Sequence, residues 1–377
     1  MKNITKKITK LSAVLTASIL SASLPLTAMA AQNSPDDNTY QPKDVQTVDY
    51  KKSLTPEFAY SAEKWASLRD NIMEYGELAD LVHEYNPTVI SNRSTYKDQK
   101  NKNLNDIYDD YMKDIDDIWD QADSADNDIT WASLRYSAGL LTKQADNNYE
   151  DADMEKIQYD QQEAKLVYQA QEMMVSLKQS AYNLENLQST RELLQKQYEA
   201  AQAQLSVGMA TQTDVLTALK RVQDQDNAIL TAQKSQENVH RNLCLMLGWS
   251  ADAQPEIKEV PQPDLSRIDT LDPNADAQTA IDNNYDVKYY TKKAGNLDSQ
   301  DLIESNQATL ANAKDTAVRS LKTQYNTVLT TRDALNAAKA QLQVAEANLN
   351  IAQANLAVGS QTSLQYQSTL NTYTAAK

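Results

Sequence analysis

From Leu321 onward the chain sets a large apolar residue at every seventh position without a miss, through Val328, Leu335, Leu342, Leu349 and Leu356. Ala338, Ala345 and Ala352 follow the later leucines at a spacing of three. Large and small residues shared in this way between a and d positions predict a long helix whose seam admits a second helix at close range. A comparable seam runs earlier through Leu177, Leu184, Arg191, Tyr198 and Leu205, with Leu187, Leu194 and Ala201 between them. Both seams lead into one short pattern, QLSVGMATQTDVLTAL at 204–219 and NLAVGSQTSLQYQSTL at 355–370. Aligned on glycine, Leu205, Val207, Gly208, Thr211 and Leu219 fall opposite Leu356, Val358, Gly359, Thr362 and Leu370. A glycine just past a helix end takes the left-handed conformation that closes the last carbonyls, and Thr211 or Thr213 is placed to cap the helix that returns.

The returning helix of the first copy is expected from Asp214 to Leu247, with Val215, Leu219, Val222, Ile229 and Leu243 on one face and a stop at Gly248-Trp249. The fold expected is therefore all-α, built of long antiparallel coiled-coil hairpins from an internal tandem duplication. Ahead of the first hairpin, a helical pattern runs through Phe58, Trp65, Leu68, Ile72, Leu78 and Val82 and ends at Asn86-Pro87. A new helix starting at Pro87 then carries Leu104, Tyr108, Tyr111, Ile115 and Ile118 on a heptad face. An apolar patch follows at Ile129–Leu141, and the ascending helix begins near Asp153. Asn284-Tyr285-Asp286-Val287 echoes Asn86-Pro87-Thr88-Val89.

Residues 1–30 pair Lys2, Lys6, Lys7 and Lys10 with an apolar stretch and end in Ala28-Met29-Ala30, the form of a secretory signal peptide. A polar leader occupies 31–54, the first helical repeat 55–249, a proline-rich linker 250–275, and the second repeat 276–377. That second repeat is read as incomplete at its C-terminus, because its descending helix has only the residues after Leu370 in which to continue.

Composition narrows the function. The net charge is −16, and loss of the four leader lysines takes it to about −20, a poor match to nucleic acid. The aspartates at 109, 110, 114, 116, 117, 120, 123, 126 and 128 form a solvated face and not a calcium loop, since the glycine and glutamate such a loop needs are missing. His83 and His240 are the only histidines and Cys244 the only cysteine, so neither a zinc set nor a nucleophile–base pair can be assembled. No catalytic residue, metal site or cofactor is expected, and Cys244 reads as a buried thiol in an apolar stretch.

The stretch LSVGMATQTDVLTALKRVQDQDNAILTAQKSQENVHRNLCLMLGW at 205–249, LAVGSQTSLQYQSTL at 356–370 and the Asn-Pro start at 86–87 resemble the TolC family of outer-membrane efflux and secretion ducts. The resemblance implies a homotrimer enclosing an α-helical tunnel, which conducts substrate passively in an efflux or type I secretion system. It also implies a membrane-fusion adaptor and an inner-membrane ABC or RND-type transporter as partners. Val207, Gly208, Met209, Thr211 and Asp214, with Val358, Gly359, Ser360 and Thr362, would be the adaptor-docking end, and the turns would lie side by side. The sequence departs from the family in lacking the alternating strands of a β-barrel. Location in the cell envelope follows, in the outer membrane by resemblance or at the cell wall where an organism has a single membrane. The competing reading is a scaffolding coiled coil of the envelope with no conduit.

Overall fold

The computed structural model describes residues 60–377, so the leader sequences, Pro56 and Phe58 lie outside the described residues. Eleven α-helices of the described chain are numbered here in order. They are α1 (Ala62–Ser67), α2 (Leu78–Tyr85), α3 (Pro87–Gln99), α4 (Leu104–Asp123), α5 (Asp128–Asp146), α6 (Ala152–Ser206), α7 (Gln212–Met246), α8 (Ala277–Asn283), α9 (Tyr285–Lys293), α10 (Gln300–Ala357) and α11 (Ser363–Ala376). Among the described residues the strands are β1 (Ile72–Met73) and β2 (Glu256–Ile257), and no helix is long and apolar enough to cross a membrane. The all-α expectation holds.

The two heptad seams become α6 and α10, rods of 55 and 58 residues that rise about 80 Å at 1.5 Å per residue. Each turns back on itself, α6 into α7 and α10 into α11. The short helix α11 also packs on α6, so the four run as one layer in the order α10, α11, α6, α7. Hydrogen bonds from Lys196 Nζ to Ser363 Oγ (3.1 Å), Gln367 Nε2 to Glu192 Oε2 (3.1 Å) and Thr190 Oγ1 to Asn371 Oδ1 (2.9 Å) fix the α11–α6 register. On α10 the face toward α11 buries Ala345 and Ala352, while the leucines of the seam stay half-buried. An alanine row allows that close approach but removes little apolar area from water by itself.

The larger core sits away from the turns. There Trp65, Leu68, Leu78, Leu81, Val82 and Val89 meet Ala170, Met174 and Leu177 of α6 and Leu243, Cys244, Leu247 and Trp249 at the end of α7. The continuous helix expected through Trp65, Ile72 and Val82 is absent. The chain leaves α1, Asp70 Oδ1 accepts from the Ile72 amide (2.9 Å), and β1 pairs in parallel with β2 before α2 starts. The Asn71 and Met73 carbonyls accept from the Glu256 and Lys258 amides (2.9 and 3.0 Å). The proline-rich linker thus contributes a strand, and pairing with residues more than 180 positions away overrides the local helical period.

The helix expected to run from Pro87 through Leu104 is also two helices. Asn103 interrupts it by opening α4 with a capping box, its side chain accepting from the Asn105 and Asp106 amides while Asp106 accepts from the Asn103 amide. Helices α4 and α5 form a hairpin around a small core of their own, Ile115, Ala138, Leu141 and Ala145. The acidic residues predicted as a solvated face are all exposed on this hairpin and at its turn.

One side chain ties the core corner together. Asn86 Oδ1 accepts from the Thr88 and Val89 amides at the start of α3, and its Nδ2 donates to the Met246 carbonyl at the end of α7 (2.9 Å). In the second half, Asn284 accepts from the Val287 amide (3.0 Å), and its backbone (φ −71°, ψ 127°) nearly repeats that of Asn86 (φ −69°, ψ 123°). The two halves are joined where Asn296 Nδ2 donates to the Tyr149 carbonyl and Asp151 Oδ2 (both 3.0 Å) and Lys292 pairs with Asp153 (2.8 Å). Burial works against the Asp151 carboxylate, but bonds from Asn296 and the Met154 amide, with Lys292 nearby, outweigh it and hold its pKa below the usual range.

Candidate functional site: the hairpin turns

The two turns are built alike. At the first, the Gly208 amide donates to the Leu205 carbonyl (3.0 Å) and the Met209 amide to the Gln204 carbonyl (2.8 Å). At the second, Gly359 donates to Leu356 (3.1 Å) and Ser360 to Asn355 (2.9 Å). These pairs satisfy carbonyls that the end of a helix leaves open, and they require a left-handed residue after the last turn. Gly208 (φ 74°) and Gly359 (φ 72°) supply it. A Cβ built on either glycine meets nothing within 4 Å, so backbone conformation alone calls for glycine here.

Of the two threonines open to the capping role, Thr211 fills it. Its Oγ1 accepts from the Asp214 amide (3.2 Å), and Asp214 Oδ2 accepts from both the Thr211 amide and its hydroxyl (2.8 Å each). Those bonds, from the Thr211 amide first and then its side chain, lower the Asp214 pKa. In the second copy Thr362 and Gln365 make the same reciprocal box (2.9 and 3.2 Å). Asp214 therefore spends its carboxylate on the start of α7.

On either side of the glycine, the chain projects apolar side chains into solvent. Val207 is 68% exposed, Met209 79% and Val358 77%. Val207 and Val358 end the two long rods, and Ser360 turns its hydroxyl back onto the Asn355 carbonyl (3.1 Å). The expected docking residues thus gather at one end of the layer. They are staggered there and do not lie level: carrying the Thr190–Asn371 register upward sets Gly359 beside residue 202 of α6, which leaves Gly208 roughly 9 Å further out. The α11–α6 pairing sets this offset, and neither turn motif encodes it.

The two edges of the layer are also exposed. Val344, Ile351 and Val358 recur by sevens along α10, beside the buried row of Ala345 and Ala352. On α7, Leu216 and Leu230 stand two heptads apart beside the buried Val215 and Val222. Away from the turns, Cys244 is buried, as its sequence context predicted, with its sulfur 3.9 Å from the ring nitrogens of the half-buried His240. His83 is buried beside Glu163 and Arg93, in a cluster that the sequence reading did not assemble.

No family model matches the chain, and no curated protein matches it. Solved structures do. The outer membrane protein VceC from Vibrio cholerae is similar at 13% identity and a TM-score of 0.41, over 80% of this chain and 91% of that one. A membrane protein from Pseudomonas aeruginosa is similar at 13% identity and a TM-score of 0.42, over 80% and 88%. The Campylobacter jejuni CmeC outer membrane channel is similar at 11% identity and a TM-score of 0.38, over 86% and 85%.

Proposed function

We propose that the chain is a TolC-like component of an efflux or type I secretion system of the cell envelope. It conducts substrates passively and docks a membrane-fusion adaptor at its hairpin turns, with an ABC or RND-type transporter beyond the adaptor. The observation that carries this reading is the single layer α10, α11, α6, α7 with an apolar heptad stripe on the open α10 edge, the exposed Leu216 and Leu230 on the open α7 edge, and both turns at one end. Helices α7 and α10 run in opposite directions at opposite edges. Packing the α7 edge of one copy against the α10 edge of the next repeats the antiparallel pairing found inside the layer. Such a head-to-tail contact closes into a ring when the rotation allows it. Three copies is the number the TolC resemblance gives.

The tips then carry Val207, Met209 and Val358 as an apolar rim, the kind of surface that a helical partner covers. A purified chain that sediments as three copies and images as a hollow cylinder is the expected result. A monomer at high concentration overturns the duct and leaves the scaffolding coiled coil. Within the duct reading, Met209→Asp is expected to abolish adaptor capture and export without unfolding the protein. Capture and export at the wild-type level would place the docking surface elsewhere.

A further inference from the structure

Beside the main core, α3 and α6 enclose a cavity of about 380 Å³ lined partly by aromatic rings, a size suited to a small organic molecule. In a chain of net charge −16, its rim is cationic. Arg93, Lys97 and Lys100 fall at spacings of four and three along α3 and its end, so they share one face above the cavity. Lys156 faces them from α6.

The acids of the same cavity are already engaged. Asp160 pairs with Lys156 (2.9 Å), and Glu163 Oε1 lies 2.7 Å from His83 Nδ1. The Arg93 guanidinium can only donate, so His83 Nε2 accepts from it (2.9 Å) and the Nδ1–H is left to donate to Glu163. Arg93 is thereby fixed by the buried histidine, with Glu84 Oε1 3.7 Å from both the guanidinium and the His83 Nε2 that it contacts. Lys97 and Lys100 are exposed and have no ion-pair partner among the described residues. The aromatic wall is Tyr96, with the Lys156 ammonium 5.8 Å from its ring centre, and Tyr159. Burial, and then the charge of Glu155, push the Tyr159 pKa up to about 12, so its phenol keeps a proton to donate at neutral pH.

We propose that this cavity binds a small organic anion with a flat apolar body, its carboxylate or sulfonate held by Lys97 and Lys100 and its body laid against Tyr96 and Tyr159. Fixed acids paired inside and free ammonium groups at the rim leave a net positive mouth over an apolar floor. A neutral ring would gain only the floor, and an inorganic anion only the rim. The site stands apart from the turns, so its test is independent of the duct.

The experiment compares two fluorescent probes of similar shape, the anion 8-anilinonaphthalene-1-sulfonate and the neutral N-phenyl-1-naphthylamine, on the purified full chain. The anion is expected to bind saturably, one per chain. Lys97→Glu with Lys100→Glu is expected to weaken it at least tenfold while changing neutral-probe binding less than twofold, and the milder Lys97→Gln with Lys100→Gln to weaken it severalfold. Both pairs alter exposed residues, and circular dichroism confirms that they fold. Anion affinity within twofold of wild type in the charge-reversed chain, or an equal loss for the neutral probe, would overturn the proposal.

Discussion

Glycine occupies a left-handed turn at three helix ends, and comparing the corner at Gly248 with the tips at Gly208 and Gly359 separates two reasons for the same residue. At all three, the glycine amide reaches back three residues and the next amide five; at the corner the Trp249 amide donates to the Cys244 carbonyl (2.9 Å). At the tips, a Cβ would meet open space. At the corner, it would stand 2.4 Å from Tyr85 Cβ and 3.2 Å from the Tyr85 carbonyl oxygen. The tips need glycine for conformation only, while the corner needs it also because α2 passes directly over it. Stability is concentrated at the corner, and the tips can change chemically at low cost.

The largest expected effect comes from Gly248→Val, which adds a clash with backbone and Cβ to the left-handed strain. A loss of about 4 kcal/mol is expected, because overpacking and strain combine. Denaturant unfolding of the purified chain measures it. A loss near 1 kcal/mol would show that α2 can slide and would erase the distinction between corner and tip.

Next is Asn86→Ala, which removes the cap of α3 and leaves the Met246 carbonyl without its donor. Roughly 2–3 kcal/mol is expected from the two losses together. Since the Asn284 side chain makes the cap but, among the described residues, no second bond to the end of another helix, Asn284→Ala should cost only the capping share, about 1 kcal/mol. Equal costs at the two asparagines would remove the special standing of the corner.

Gly208→Val and Gly359→Val are expected to cost about 1–2 kcal/mol each, confined to the last turns of the rods. Amide hydrogen exchange should speed up near each tip while protection in the core stays unchanged. Faster exchange at Leu243–Leu247 in these variants would mean that tip and corner open together. Smallest of all is Thr211→Ala, at about 1 kcal/mol of local capping energy, with exchange at the start of α7 as the readout.

What the sequence disclosed follows the same division. The turns were legible because their chemistry is local: glycine, cap and N3 residue lie within seven positions of one another. The rods were legible because their period is sustained over many heptads. At the corner the stop at Gly248 and the helix start at Asn86-Pro87 were legible, but the way they meet was not, since Trp65, Leu68 and Ile72 keep a helical spacing that long-range pairing with Glu256 and Ile257 defeats. The break before α4 did leave a signal, Asn103 three residues ahead of Asp106, which the continuing heptad pattern masked. The cavity above α6 left a weaker trace, the spacing of Arg93, Lys97 and Lys100, whose meaning depends on which residues of α6 stand opposite.

The hydrogen bonds of the Asn86 side chain also have a mechanical consequence. By gripping the start of one helix and the end of another, it pins the angle at which the long hairpin leaves the core. From Leu177, the last α6 side chain in that core, the rod extends about 46 Å to Gly208. A pivot of one degree at the corner alone would carry an unbraced tip through roughly 0.8 Å, and the α11 bonds at Thr190, Glu192 and Lys196 brace the rod along that span, so the aim of the far end is shared between the corner and the second hairpin.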